Sequence, residues 1–275
     1  MNESFADRLS QTVERRQSQV VLGLDPDPAR VPGGVLGAEE FCLKTLAAAG
    51  EHCALAKIQL AHFERFGAEG WKAYEAVAAA AAGHGLLVIA DAKRGDIDAT
   101  ARAYAEAFLK EPIDALTINP MLGSDAVRPF LDAALARRRG LFVLVRTSNP
   151  GGADLQDLLL ADCRRWHEAL AEIVAQWGAA LVGSCGLSSV GAVVGATGPE
   201  RLAALRALMP DQPFLLPGVG AQGGRAGDLA PAFGGRVAGG LIAASRSIIY
   251  ADNPEAAAAD LRVQGWSAWE SVAPS

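Results

Sequence analysis

The chain has 275 residues, of which 51% are hydrophobic and 20% charged, and its formal net charge is −6. This composition provides a large core, excludes a disordered chain and argues against a nucleic-acid-binding surface. Its beginning lacks the apolar stretch of a signal peptide, and no apolar run is long enough to cross a membrane. We therefore expect a cytoplasmic protein, and the absence of a Pro/Ser-rich linker predicts a single domain over residues 1–275.

Short apolar runs alternate along the chain with longer Ala-rich segments of helical period. After an N-terminal helix over Glu3–Gln17, the predicted strands are Val20–Leu24, Ala54–Ile58, Leu86–Ala90, Ala115–Ile118, Leu141–Val145, Val190–Val194, Pro213–Leu216 and Val237–Ile242. Helices are predicted at Glu39–Ala49, Trp71–Ala82, Asp98–Leu109, Asp125–Arg138 and Leu159–Gln176. Ala179–Ser189 fits a helix end, a strand or a loop, and we treat it as a connection.

The alternation of strands and helices predicts an α/β fold with a parallel sheet. The strand runs are continuously apolar, so both faces of the sheet should be covered. Eight strands is the number that closes a (β/α)8 TIM barrel, here with one extra N-terminal helix. An open doubly wound sheet is the alternative.

The cysteines and the one basic triplet have ordinary structural interpretations. Cys42, Cys53, Cys163 and Cys185 show no metal-binding spacing, and the first two are expected to be buried free thiols. The triplet at 137–139 should lie in solvent at a helix C-terminus, where cations complement the helix dipole.

Polar or Gly/Pro-rich segments follow almost every predicted strand. They are GLDPD at 23–27, AKIQLAHFE at 56–64, DAKRGD at 91–96, TINPMLG at 117–123, VRTSNPGG at 145–152, GATGPE at 195–200, PGVGAQGG at 217–224 and AASRS at 243–247. In a TIM barrel the C-terminal strand ends form one active site. These segments should therefore converge at one mouth.

The segment DAKRGD places four charged residues at the end of an apolar strand. Asp91 and Lys93 are two residues apart, so in an extended strand they point to the same side. Asp96 follows the turn at Gly95, and Asp98 is a plausible N-cap of the next helix. Neighbouring carboxylates favour the charged form of a lysine, so Lys93 is predicted to be a proton donor, not a Schiff-base nucleophile.

The last two strand ends are suited to an anion. PGVGAQGG supplies backbone N–H groups, and AASRS adds Arg246 with hydroxyl groups. Phosphate sites of TIM barrels usually form after strands 7 and 8, where these segments lie. We therefore expect a phosphate-bearing ligand there.

Six of these segments together resemble one known family. GLDPD, DAKRGDI, VRTSNPG, VVGAT, PGVGAQGG and SRSIIYA are similar to the motifs of orotidine 5′-monophosphate decarboxylases, in the branch found mainly in bacteria, and the resemblance extends from about residue 20 to residue 251. It implies decarboxylation of orotidine 5′-monophosphate to UMP, the last step of pyrimidine synthesis, with no cofactor and no metal. Met121 stands where an aromatic residue is expected, and Ala244 where a polar residue is commoner.

The resemblance also implies roles for individual residues. Lys93 would protonate C6 of the pyrimidine, Asp91 would lie beside the departing carboxylate, and Asp96 would extend the charged row. Asp96 and Thr100 would reach the neighbouring subunit's site, which implies a homodimer with shared active sites. The implied substrate-binding residues are Asp25 and Lys57 at the ribose, Ser148 at the pyrimidine and Gln222 and Arg246 at the phosphate, together with Pro217 and Ser245.

Three other functions compete with this interpretation. A Mg²⁺-dependent decarboxylase of a keto-sugar phosphate would share Asp91, Lys93 and Asp96 but need a divalent ion. A non-catalytic nucleotide-binding relative would not need a buried lysine between carboxylates, and an aldolase would need Lys93 uncharged.

Several nearby residues are expected to have supporting roles. His62 should pack near the end of the second strand, and Glu64 should begin a helix or accept a hydrogen bond. Arg94 should be structural or interfacial because it points away from Lys93, while Trp266 and Trp269 should pack the last helix against the barrel.

Overall fold

The computed structural model describes residues 3–196, 198–219 and 224–273. Eight parallel strands form a closed barrel in which each strand pairs with the next and the last pairs with the first. The strands are β1 (Val20–Leu24), β2 (Leu55–Gln59), β3 (Leu87–Arg94), β4 (Ala115–Ile118), β5 (Gly140–Arg146), β6 (Val190–Val194), β7 (Phe214–Pro217) and β8 (Gly240–Ala244). The predicted TIM barrel is confirmed, whereas the single-domain boundary stays a prediction.

Helices follow the strands around the outside of the barrel. They are α1 (Phe5–Arg16), α2 (Gly34–Ala49), α3 (Ala61–Glu64), α4 (Gly67–Gly83), α5 (Asp98–Phe108), α6 (Ser124–Arg137), α7 (Ala153–Gln156), α8 (Trp166–Gly178), α9 (Pro199–Leu208), α10 (Ala230–Phe233), α11 (Arg246–Ile249) and α12 (Pro254–Glu270). None of these helices in the described ranges combines the length and the apolar character that crossing a membrane requires.

Most strand predictions agree with the structure within one or two residues. The exceptions are β3, which continues to Arg94, and β8, which begins only at Gly240. The predicted helix over Leu159–Gln176 is wrong at its start, because α8 begins at Trp166. Leu159 instead pairs with Arg165 in an isolated antiparallel bridge, so the chain reverses direction before the helix.

Helix α1 closes the N-terminal end of the barrel. Ser4 caps it by accepting a hydrogen bond from Asp7 N, and Phe5 packs edge-on against Phe142 with ring centroids 6.2 Å apart. The Asp7 carboxylate accepts hydrogen bonds from Ser184 Oγ and Cys185 N, at 2.8 and 2.9 Å. The connection Ala179–Ser189 therefore lies at this end of the barrel, away from the mouth formed by the C-terminal strand ends.

The expectation for the basic triplet was partly wrong. Helix α6 ends at Arg137, one residue before the predicted end at Arg138, but Arg139 turns back to the protein. Its guanidinium donates to Asp114 Oδ1 at 3.1 Å, so it stabilises the fold instead of lying in solvent. Cys42 and Cys53 are buried free thiols, as expected.

Candidate active site

Asp91 is the centre of a buried polar network at the barrel mouth. Its Oδ2 accepts hydrogen bonds from Lys57 Nζ at 2.8 Å and from Gln59 Nε2 at 3.1 Å. Its Oδ1 accepts hydrogen bonds from Lys93 Nζ at 2.6 Å and from the Thr117 hydroxyl at 2.9 Å. Four donors from three neighbouring strands therefore fix one carboxylate.

The backbone changes direction at Lys93. Its φ is +47°, in the left-handed region, and the register between β3 and β4 shifts between Ala90 and Arg94. Lys93 N donates to Thr117 Oγ1 at 2.9 Å, which satisfies an amide that the shifted ladder does not pair. The predicted contact between Lys93 and Asp91 is present, but it forms across this irregularity and not along a regular strand.

The two lysines that bind Asp91 differ in exposure. The Lys57 side chain is 11% exposed, whereas the Lys93 side chain is 42% exposed. Asp25 Oδ1 lies 3.7 Å from Lys57 Nζ, so Lys57 has a carboxylate on each side. Lys57 is therefore enclosed by the protein, whereas Lys93 also faces the open mouth.

Charge pairing outweighs burial in this network. Burial alone would lower the pKa of Lys57, but the carboxylates of Asp25 and Asp91 raise it above its ordinary value. Burial alone would likewise raise the pKa of Asp91, but the charges of Lys57 and Lys93 hold it below its ordinary value. Asp91 is therefore a fixed anion at neutral pH.

A cavity of about 140 Å³ borders these charges. It is lined by Gly23, Asp25, Lys57 and residues 217–219 and 243–246, which include the predicted Pro217, Ser245 and Arg246. Asp25 Oδ1 and Ser245 Oγ are buried and make no hydrogen bond within the described residues, so both can bind a ligand group. A larger groove of about 600 Å³ between α5 and α6 does not include the Asp91 network.

The other predicted site residues lie outside this network. Ser148 follows β5 and packs against Gly195, where an added Cβ would lie only 2.9 Å from Ser148 Cα. Asp96 accepts a hydrogen bond from Ile97 N at 2.8 Å, and Thr100 is exposed on α5. Gln222 lies outside the described residues.

The expectation that Asp98 caps α5 was wrong. The helix begins at Asp98 itself, Ile97 occupies the cap position without a side-chain hydrogen bond, and the Asp98 carboxylate pairs with Arg102 at 2.8 Å.

Three contributors to the site were missed from the sequence. Gln59 follows Lys57 by two residues, so the same spacing that linked Asp91 to Lys93 could have identified it. Thr117 could have been found from the pairing of β3 with β4, because it directly follows Leu116, which pairs with Ala90 beside Asp91. Tyr250 gave no local signal: its hydroxyl donates to Asp25 O at 3.2 Å and accepts from Asp27 N at 2.7 Å, holding the loop after β1.

The supporting residues lie where the sequence predicted. Glu64 pairs with Arg94, whose guanidinium also lies over the rings of Tyr104 and Phe108, outside the barrel. Trp269 packs α12 against the core, with the ring of Trp266 4.8 Å from its own. His62 is half-buried in α3, next to the end of β2.

Comparison with known proteins assigns the family. Residues 18–261 match the orotidine 5′-phosphate decarboxylase / HUMPS family. An orotidine 5′-phosphate decarboxylase of Haloarcula marismortui is 44% identical over 263 residues, which cover 93% of this chain and 90% of the relative. One from Halorubrum lacusprofundi is 44% identical over 257 residues, covering 90% and 88%.

The solved structures give the same result. The Leishmania donovani OMP decarboxylase superposes with a TM-score of 0.84 at 37% identity, covering 96% of this chain and 98% of that one. With the barrel and the lysine–carboxylate network at its mouth, these matches identify the chain as a member of the orotidine 5′-phosphate decarboxylase / HUMPS family.

Proposed function

We propose that this enzyme is a carboxy-lyase that converts orotidine 5′-monophosphate to UMP in pyrimidine biosynthesis, without a cofactor, and that Lys93 supplies the proton. The two relatives described above are named for this activity, and the match covers about 90% of their length. The single observation that supports the mechanism is the half-exposed ammonium of Lys93, held 2.6 Å from the buried carboxylate of Asp91.

The reaction replaces one bond at C6 of the pyrimidine. The bond from C6 to the carboxylate breaks, CO2 leaves, and the electron pair stays on C6 as a carbanion. The ammonium of Lys93 stabilises that charge and then transfers its proton to C6, giving UMP and a neutral amine that regains a proton from water. Because Asp91 is anionic, it also repels the substrate carboxylate that would sit beside it.

The remaining site residues are proposed to bind the nucleotide. Asp25 and Lys57 would bind the ribose, and the buried Asp25 Oδ1, which is ion-paired with Lys57 but makes no hydrogen bond within the described residues, is suited to accept from a hydroxyl. Pro217, Ser245 and Arg246 line the adjacent cavity and would surround the phosphate. Ser148 would contact the pyrimidine, and Gln222 would join Arg246 at the phosphate. Binding energy from the distant phosphate can then be used in the transition state.

We also propose a homodimer in which Asp96 and Thr100 reach the partner's site. Large apolar side chains are exposed after the same strand and after its neighbour: Ile97 follows β3, Met121 and Leu122 follow β4, and they are 56, 61 and 52% exposed. Three exposed apolar side chains after two adjacent strands favour a protein interface. The cytoplasmic location expected from the sequence stays a prediction.

The first test is UMP formation by the wild type and by Lys93→Ala, followed by pyrimidine absorbance with and without EDTA. Turnover that resists EDTA and vanishes in the variant supports the proposal. Turnover abolished by EDTA would instead indicate the Mg²⁺-dependent decarboxylase, and UMP binding without turnover would indicate a non-catalytic relative.

The shared site has its own test. Lys93→Ala and Asp96→Ala, each inactive alone, should regain about a quarter of the wild-type activity when refolded together in equal amounts. Half of the dimers would be mixed, and each mixed dimer would contain one intact site. No recovery from a mixture that forms mixed dimers would contradict sharing of Asp96.

A further inference from the structure

The segment after β5, which contains Ser148, is closed at its base by a buried ion pair. Arg146, the last residue of β5, donates from Nε and Nη2 to the two oxygens of Asp157, both at 2.9 Å. Asp157 directly follows α7, so the pair joins the two ends of a segment whose end residues are eleven positions apart. Bidentate pairing of this kind fixes orientation as well as distance.

Gln156 binds this segment through its amide side chain. Its Oε1 accepts from Thr147 N at 2.8 Å, and its Nε2 donates to Thr147 Oγ1 at 3.0 Å. The Thr147 hydroxyl in turn donates to Asn149 Oδ1 at 2.7 Å. Thr147 and Asn149, the residues on either side of Ser148, are therefore both linked to the Gln156 amide, Asn149 through the Thr147 hydroxyl.

Gln156 and Asp157 are themselves anchored to α8. His167 is buried, and its Nδ1 lies 2.7 Å from Gln156 O and 3.2 Å from Asp157 Oδ1. A carbonyl oxygen can only accept, so Nδ1 carries the hydrogen. Burial lowers the pKa of His167, so the ring is neutral at pH 7 and the anchor does not depend on its charge.

The Ser148 side chain makes no hydrogen bond to any residue that the structure describes. Its backbone is nevertheless fixed on both sides, by Thr147 and Asn149 and by close packing against Gly195. A polar side chain on a fixed backbone, with its own bonding capacity unused, is arranged to contact a ligand.

We propose that Gln156 is a positioning residue that fixes Ser148 against the pyrimidine ring through Thr147, without touching the substrate itself. The proposal rests on the proposed function and extends it, because it names what orients the residue that contacts the base. A serine held in the bound geometry does not lose conformational freedom when the substrate arrives, so its contact with the ring is stronger.

The test compares Gln156→Leu with Gln156→Glu. Leucine has a similar size but removes the hydrogen bonds to Thr147, and we expect kcat/KM for orotidine 5′-monophosphate to fall about tenfold. Glutamate keeps an acceptor for Thr147 N and should stay within about threefold of the wild type. Gln264→Leu, an exposed glutamine of α12, is the matched control and should leave kcat/KM unchanged.

A double-mutant cycle separates positioning from general stability. If Gln156 acts through Ser148, Gln156→Leu should change kcat/KM less than twofold in a Ser148→Ala background. The inhibition constant of inorganic phosphate should be the same in all variants, because the residues proposed to bind the phosphate belong to β7, β8 and the segments that follow them. Equal losses in both backgrounds, or a loss matched by weaker phosphate inhibition, would overturn the role of Gln156.

The two proposals fail in different ways. If the wild type has no turnover but binds UMP, the same cycle is measured on the dissociation constant of UMP and still decides the role of Gln156. If the wild type neither turns over orotidine 5′-monophosphate nor binds UMP, both proposals are wrong. If the wild type is active but the losses of kcat/KM in Gln156→Leu and Ser148→Ala are additive, only the positioning role of Gln156 is wrong.

Discussion

Two aspartates at opposite ends of the barrel are each bound by two cations. Asp91 lies at the mouth and binds Lys57 and Lys93, at 2.8 and 2.6 Å. Asp114 lies at the N-terminal end, just before β4, and binds Arg8 and Arg139, at 2.6 and 3.1 Å. Each carboxylate has two cationic partners, but those of Asp91 are lysines, one of which faces the open mouth, whereas those of Asp114 are arginines.

The chemistry of the two kinds of cation explains why the two aspartates have different roles. Arginine does not lose its proton in proteins and forms directed, planar contacts, which suit a permanent connection. Arg8 comes from α1 and Arg139 from the end of α6, so Asp114 joins distant parts of the chain, and it also accepts from Val88 N at 3.0 Å. Lysine is a compact charge that can transfer a proton, and Lys93 faces the open mouth. The ion pairs at one end of the barrel therefore join distant parts of the fold, whereas those at the other end lie at the proposed active site.

The largest expected effect is the loss of turnover in Asp91→Asn. The asparagine keeps the shape of the side chain but removes the charge that binds Lys93 and that, in the proposed mechanism, repels the substrate carboxylate. We expect kcat to fall about 10³-fold, measured as the change in pyrimidine absorbance on UMP formation. The same change at the other end, Asp114→Asn, should leave kcat within about twofold if the enzyme is assayed well below its unfolding temperature. A similar loss of kcat in both variants would refute the division between the two ends.

The second prediction concerns stability. Asp114→Asn leaves the largely buried Arg139 with a weakened partner, so we expect the free energy of unfolding in urea to fall by about 2 kcal/mol. Glu40→Gln breaks the exposed pair with Lys44 on α2 and is the control, for which we expect no measurable change. If the two variants unfold at the same urea concentration, the ion pairs at the N-terminal end do not stabilise the fold.

The mouth was easier to predict from the sequence than the N-terminal end. A spacing of two residues predicted the contact of Asp91 with Lys93, although the left-handed backbone at Lys93 interrupts the regular strand, and the strand ends that converge on it follow from the alternation of apolar runs. Asp114 and Arg8 are 106 residues apart, and no periodicity connects them. Their contact depends on how α1 closes the barrel, which is a property of tertiary packing.

Contacts that depend on tertiary packing were also missed within the candidate site. Gln156 follows Ser148 by eight residues and lies between the predicted fifth strand and the helix predicted from Leu159, where no period was recognised, so its hydrogen bonds back to Thr147 could not be predicted from a pattern. Tyr250 is 225 residues from Asp25, and only the closure of β8 on β1 brings them together. Short-range spacing therefore predicts the residues on one strand, whereas the residues that hold them in position need the closed fold.

The smallest expected effect is a dependence of the Asp91 contribution on pH. Burial alone would raise the pKa of Asp91, but Lys57 and Lys93 lower it below that of an unfolded chain, about 3.9. A group whose pKa is lower in the folded state stabilises the protein above its unfolded pKa, and that contribution is lost as the pH falls towards the folded pKa. The free energies of unfolding of the wild type and Asp91→Asn should therefore differ most at pH 5–7. Between pH 4 and pH 3 the difference should shrink by on the order of 1 kcal/mol, measured by urea unfolding at each pH. A difference that stays constant from pH 7 to pH 3 would mean that the lysines do not favour the ionised form of Asp91.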